Sequence, residues 1–285
     1  MQLAGSSRSL LVAVTSVLFS ATAVSAQWLS YPTPGIPRLP DGKANLAAPG
    51  PRTADGRPDL SGIWAVECNI YGRDACFTRS IFFDLAKDLK PDDVQMTPWA
   101  ASLAMQRQSR NHVDDPYGYC MPPGFPRIDY AGGAFKILPS SGVTAFLYET
   151  LVGLTFRQVF TDGRPLPGTA EPSWLGYSVG YWDKDTFVVD TVGLKDGGWI
   201  DTQKGRPNSD ALHVTERFRR TDFGHMDLAI TIDDPKAYLK PWTATTKLFL
   251  QPDTELLESF CDSHGKTMEH RQVTQTPEPP SPGVR

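Results

Sequence analysis

From Ala134 to Asp262 apolar and polar residues alternate in short runs broken by turn residues. The runs are FKILPSSGVTAFLYETL, LTFRQVFTDGR, WLGYSVGYWDKDTFVVDTVG, ALHVTERFRRTDFGHMDLAITIDD and TATTKLFLQPDTELLESFCD, with Asp-Gly, Asp-Lys-Asp, Asp-Phe-Gly and Pro-Asp at the breaks. A period of two bounded by such residues predicts antiparallel strands joined by tight links. So many strands in succession predict a mainly β fold, an antiparallel meander. Closure into a calycin- or lipocalin-like barrel removes the exposed edges most economically, with a two-sheet sandwich as the alternative. Ahead of the strands, MTPWAASLAMQRQSR puts Trp99, Leu103, Met105 and Gln106 on a helical pattern. Thr97 as N-cap and Pro98 in the first turn predict a helix over 97–110. Residues 27–58 are rich in Pro and Gly and follow neither period, which reads as an extended arm or linker. A single domain then runs over 59–275, opening at PDLSGIW and carrying a turn-dense connector at 114–127. The Pro-rich residues 276–285 read as a disordered tail.

Composition narrows the class. The chain has 285 residues, 40% of them hydrophobic, and 28 Lys+Arg against 32 Asp+Glu give a net charge of -4. It can build a sizeable core, and without a Lys/Arg run it lacks the electrostatic footprint of a nucleic-acid binder. Arg8, the apolar run Leu10–Phe19 and the small residues ending Val24-Ser25-Ala26 form the three regions of a secretory signal peptide over 1–26. The run is shorter than a spanning helix needs, and no second segment is long enough. Export to the periplasm or the medium, with cleavage after Ala26, is the expectation.

An oxidising compartment makes Cys68, Cys76, Cys120 and Cys261 candidates for two disulfides, out of three connectivities. Cys68 and Cys76 enclose a short Gly-containing loop and close most easily, which leaves Cys120 with Cys261. A metal site on Cys261, His264 and His270 matches no zinc spacing and loses its thiolate to a disulfide, so no metal is assigned.

The motifs PDLSGIW, DDPYGYCMPPGFPR, FRQVFTDGRPLP, SWLGYSVGYWDKDTFVVDT, LHVTERFRR and GHMDLAITIDDPKAYLKPW occur in that order between Pro58 and Cys261. On these the chain resembles a large family of exported bacterial proteins of uncharacterised activity, common in acidobacteria and proteobacteria. The resemblance implies kinship and export, and no reaction. Members often carry a His where this chain has Pro207-Asn208-Ser209-Asp210, so no role of that His transfers.

Alternation along strands points to the candidate chemistry, because alternate residues share a face. Glu216 falls with Leu212, Val214 and Phe218, while His213, Thr215, Arg217 and Arg219 take the other face. Glu149 falls with Val143, Ala145, Leu147 and Leu151, although Phe146 and Tyr148 make the opposite face apolar too. A carboxyl buried in a barrel has its pKa raised toward the range useful for acid or base work, and two could act as a pair. Equally, an arginine such as Arg157 can fix each in a structural ion pair. His225, after a turn and beside Asp227, is a candidate base or a solvated rim residue. Tyr148, Trp174, Tyr177, Trp199 and Trp242 are candidates for lining a ligand pocket, with Tyr181, Trp182 and Tyr238 near the same strand ends; each is otherwise core. There is no H-E-x-x-H helix, phosphate loop or dinucleotide fingerprint, so no cofactor is assigned. Three functions follow: a cofactor-free lyase, isomerase or hydrolase acting on a small apolar or aromatic molecule; a carrier of such a molecule; or an envelope protein whose arm docks a partner. The sequence leaves the oligomeric state open.

Overall fold

The computed structural model describes residues 32–66, 83–130, 133–150, 153–257 and 261. The leader, Cys68, Cys76 and the tail lie outside the described residues. Nine strands form a closed barrel in chain order. They are β1 Gly62–Ala65, β2 Phe135–Ser140, β3 Val143–Thr150, β4 Gly153–Phe160, β5 Tyr177–Asp183, β6 Thr186–Val192, β7 His213–Arg220, β8 His225–Asp233 and β9 Trp242–Leu250. β9 closes on β1 through Trp64↔Leu250 and Ala65↔Phe249. The expected mainly β barrel is therefore present, with one α-helix before β2.

One step departs from the antiparallel meander. β4 and β5 are parallel and pair only at Val159↔Ser178 and Phe160↔Val179. Asp162-Gly163 does turn the chain, with Gly163 at φ +83°, but the following RPLPGTAEP segment carries three prolines, which cannot donate to a ladder. The chain instead loops out through 161–176 and re-enters beside the end of β4, running on in the same direction, which makes the next strand parallel.

The barrel interior is filled. β8 alternates buried and half-buried residues along its whole length, sending Met226, Leu228, Ile230 and Ile232 inward to meet Phe135, Phe146, Phe187, Val214 and Phe218, all 2% exposed or less. Large aromatic and branched side chains on alternate positions close-pack a small barrel.

Each end is closed by a different segment. At the end where β7 begins, helix α1 (Pro98–Ser109) starts at Thr97, whose hydroxyl caps the Ala100 amide. The helix stands where expected, yet the face it buries is Ala100, Ala104 and Arg107, while Trp99 and Met105 are exposed. Small residues at i and i+4 allow the helix axis to approach closely. Arg107 reaches past them to the carbonyls of Gly197, Gly198 and Gly205 at 2.9, 3.1 and 3.2 Å.

The opposite end is covered by the Pro/Gly-rich arm. Arg38 pairs with Asp253, the carbonyls of Ala48 and Leu46 accept from Phe223 and Gly224 at 2.7 and 2.8 Å, and Arg52 forms a two-bond pair with Asp185 at 2.9 and 3.1 Å. Gly224 must lack a side chain here, since a Cβ would stand 2.4 Å from that of Leu46. From the barrel side, Arg220 donates to the Asp59 carbonyl and packs over Trp64.

Cys120 and Cys261 are joined in a disulfide across a sequence separation of 141. No helix among the described residues is long and apolar enough to cross a membrane. A loop of this length predicts that Cys120→Ala with Cys261→Ala lowers the unfolding free energy by about 5 kcal/mol, read from urea denaturation under oxidising conditions. A loss below about 1 kcal/mol would show that the cross-link constrains little of the unfolded chain.

Candidate functional site

Three strands and one connector bring a charged cluster into the barrel. Alternation on β7 sends Glu216 inward between Val214 and Phe218, β4 sends in Arg157 beside Val159, and β3 sends in Tyr148 beside Phe146. The fourth member, Asp129, ends a single 3-10 turn, Arg127–Asp129, in the connector leading to β2. Arg157 Nη1 lies 3.1 Å from Asp129 Oδ2, and Nη2 bonds Glu216 Oε2. The Tyr148 hydroxyl donates to Asp129 Oδ1 at 2.6 Å. The guanidinium packs against two rings, its carbon 4.3 Å from the Phe125 ring centre and 5.1 Å from that of Phe146. The side chains of Arg157, Asp129 and Glu216 are at most 1% exposed.

Charge balance decides the protonation. Two carboxyls face one guanidinium where solvation of a net charge is costly. Burial first, and then the neighbouring Asp129, raise the Glu216 pKa well above the ordinary carboxyl range, against the opposing pull of Arg157. Oε1 of Glu216 has no hydrogen-bond partner in the protein. Burial likewise pushes the Tyr148 phenol well up, with Asp129 adding to the effect. The cluster is thus two carboxyls, a guanidinium and a phenol, with burial disfavouring the charged form of Glu216. Such a set can pass a proton between Glu216 and Asp129, and it also joins three strands to the end connector.

The other candidate residues lie elsewhere. Glu149 is on the outward face of β3, half-buried, and its Oε2 accepts from the Leu257 amide at 2.9 Å. His225 also faces outward, with Nδ1 2.7 Å from Asp222 and its ring edge-on to Phe249. It is five residues along β8 from Ile230, which pairs with Glu216, or roughly 16 Å at the strand rise. Trp199 is 2% exposed beneath the Arg107 guanidinium at 4.4 Å. Burial pushes the pKa of that guanidinium down to about 10. Trp242 packs edge-on to Tyr238 at the same end of the barrel. Trp174 lies under the Lys195 ammonium. Tyr177 stacks on Phe160 outside the β4–β5 junction and accepts from Arg164.

One concavity open to solvent is at the arm-covered mouth. It has a volume of about 450 Å³. Thr53, Asp55, Arg57, Pro58 and Leu60 of the arm form its roof, the β2–β3 turn with Thr144 one wall, Thr161 and Gly163 another, and Gly180, Tyr181, Trp182 and Phe187 the rest. Trp182 lies 5.3 Å from Phe187 and 5.9 Å from the guanidinium carbon of Arg57, centre to centre. None of Asp129, Tyr148, Arg157 and Glu216 lines it. A larger concavity, about 780 Å³, lies against the outer faces of β7–β9 and residues Phe83–Asp88. Its rim includes Val66 and Phe83, and the segment 67–82 between them is outside the described residues. Among the described residues no three His, Cys, Asp or Glu side chains converge on a metal-sized site.

Alternation could not have found Asp129 or Arg57, which sit in aperiodic connectors. Trp182 stands out only as one aromatic among several near strand ends. Comparison with protein-family models and with curated proteins finds no match.

A carboxyl that binds its proton more tightly folded than unfolded stabilises the fold most below its unfolded value. The ordinary value is near 4.5, and the contribution is lost as pH rises through the elevated folded value. Stability is therefore expected to fall as pH increases above 5, and Glu216→Gln, which keeps a neutral group of the same shape, should flatten that slope. Urea midpoints measured across pH 5–9 check this; an unchanged slope in the variant assigns the effect to other groups. Arg157→Met, which leaves the two carboxyls without their cation, should cost about 3–5 kcal/mol.

Proposed function

We propose that the protein is an exported barrel that binds a small apolar or aromatic organic molecule at its arm-covered mouth, as a carrier or binding module. The observation that carries this reading is the cavity of about 450 Å³ walled by Trp182, Phe187, Leu60 and Pro58, with the Thr144 hydroxyl and the Asp55–Arg57 pair at its margins. Its size and its mixture of aromatic wall and few polar groups match small-molecule sites in general. Export is supported by the leader-like residues 1–26 and by the Cys120–Cys261 disulfide, a bond that persists in oxidising compartments. Kinship with the exported bacterial family belongs to the same proposal and rests on the ordered motifs.

A second reading is cofactor-free acid/base catalysis, favoured by one observation: a buried Glu216, its pKa raised by burial, joined through Arg157 to Asp129, which accepts from Tyr148. Its substrate would have to pass Phe146 and Phe218, which pack at a tilt with ring centres 5.6 Å apart and are fully buried. That obstacle makes binding the leading conclusion.

2-Naphthol serves as a neutral aromatic probe. Trp182→Ala is expected to weaken its binding by about tenfold, the equivalent of ~1.4 kcal/mol, in titration calorimetry. Trp174→Ala should leave it unchanged, since that ring stands against Lys195 outside the cavity. Equal affinity for wild type and Trp182→Ala removes the mouth as the site. If any bound compound is turned over, persistence of turnover in Glu216→Gln removes the acid/base reading.

A further inference from the structure

Parallel pairing that stops after two residues leaves a strand with nothing beside it. β4 ends at Phe160, and the chain turns aside through Thr161, whose amide donates to the Gly142 carbonyl at 2.9 Å. β5 goes on to Asp183, still paired with β6 through Gly180↔Val189, Tyr181↔Val188, Trp182↔Phe187 and Asp183↔Thr186. In a strand, alternate residues direct their N–H and C=O groups to opposite neighbours. Half of the main-chain groups from Gly180 to Asp183 therefore point away from β6, and no other strand among the described residues pairs with them.

This free edge opens into the mouth cavity, which Gly180, Tyr181 and Trp182 line. The arm passes over it without satisfying it, because the arm's hydrogen bonds turn back on themselves. Arg52 bridges to Pro58, Thr53 N donates to Arg57 O at 2.9 Å and Gly56 N to Thr53 O at 2.9 Å. Gly180 is compelled to be bare, since a Cβ would stand 2.6 Å from the Phe187 ring and 2.7 Å from Val159. The strand edge is consequently flat next to an aromatic recess. Exposed, unpaired edges are normally covered or charged; here one is left open inside a concavity.

We infer that the ligand of the mouth cavity is an extended peptide segment that adds as a short strand to the Gly180–Asp183 edge, placing an apolar or aromatic side chain in the recess against Trp182. The inference rests on the mouth being the binding site. Four residues of edge span roughly 13 Å, room for a tetrapeptide. Donors and acceptors alternating at the strand period are what a peptide main chain supplies, and alternate side chains then fall into the recess or out to solvent. A ring compound without such a backbone fills the recess and leaves the edge unpaired.

The test uses the full chain, an end-blocked tetrapeptide alternating valine and phenylalanine, its two isomers N-methylated at one or the other pair of alternate amides, and 2-naphthol. Titration calorimetry should show the parent peptide binding, one N-methyl isomer at least tenfold weaker and the other close to the parent, since only one set of amides faces β5. Amide exchange within Gly180–Asp183 should slow on adding the parent, and Trp182→Ala should weaken it. If the parent and both isomers bind equally, or 2-naphthol binds and the parent does not, the peptide inference falls and the mouth survives as a small-molecule site. If neither peptide nor 2-naphthol binds, both fall.

Discussion

Arg157 sits between two carboxyls, Asp129 and Glu216, where water reaches none of the three. Burial there raises the pKa of Glu216, and Tyr148 donates to the Asp129 carboxyl. Arg157 on β4 has its partners on β3, β7 and the connector before β2, so the same group fixes the relation of opposite barrel walls to the segment that closes one end. A well-packed apolar substitute of equal volume could hold the walls as firmly. What it could not do is set the connector's position by directed bonds. Arg157 draws Asp129 into the barrel end, and Asp129 is two residues from Arg127, itself held by Asp115 through bonds of 2.9 and 3.0 Å. The disulfide at Cys120 then carries the same connector to the chain's C-terminal part.

With the interior filled and one end sealed, the barrel differs from a hollow cup. At the mouth, β4 stops before β5, and the arm bridges the gap from above through the Arg52–Asp185 and Arg220–Asp59 contacts. The arm therefore behaves as part of the domain's wall, and the Pro and Gly residues that deprive it of a helical or strand period let it turn back on itself over the opening.

Legibility in the sequence followed the strength of contrast between faces. On β7 the outward residues His213, Thr215, Arg217 and Arg219 are all polar, so the inward placement of Glu216 could be read directly. On β3 both faces are apolar, and the count that grouped Glu149 with Val143, Ala145 and Leu147 was correct while the choice of inner face was not determined. The larger Phe146 and Tyr148 occupy the interior, and Glu149 faces out. On the helix, bulk misled: Trp99 and Met105 look like core residues, but close packing against the barrel end selected Ala100 and Ala104. Asp129 lies in a stretch governed by turns, where period carries no information. Cys120 and Cys261 could be paired by elimination, since the alternative partners were close enough to each other to form their own loop.

The crossover is the feature on which sequence and structure diverge most usefully. Asp162-Gly163 looks like any hairpin turn, and a hairpin would have continued the antiparallel ladder and left no edge. Pro165 and Pro167 prevent the returning chain from donating to β4, and the parallel re-entry at Tyr177 then offsets β5 from β4 along the barrel axis. That offset produces two consequences at once: an unpaired main-chain edge over Gly180–Asp183 and a recess beside it that Thr144, Thr161 and Phe187 help to wall. A full ladder between β4 and β5 would abolish both together. The recess and the edge thus share one physical cause, the prolines of the crossover, and a ligand that engages both satisfies the polar groups that the crossover left unpaired.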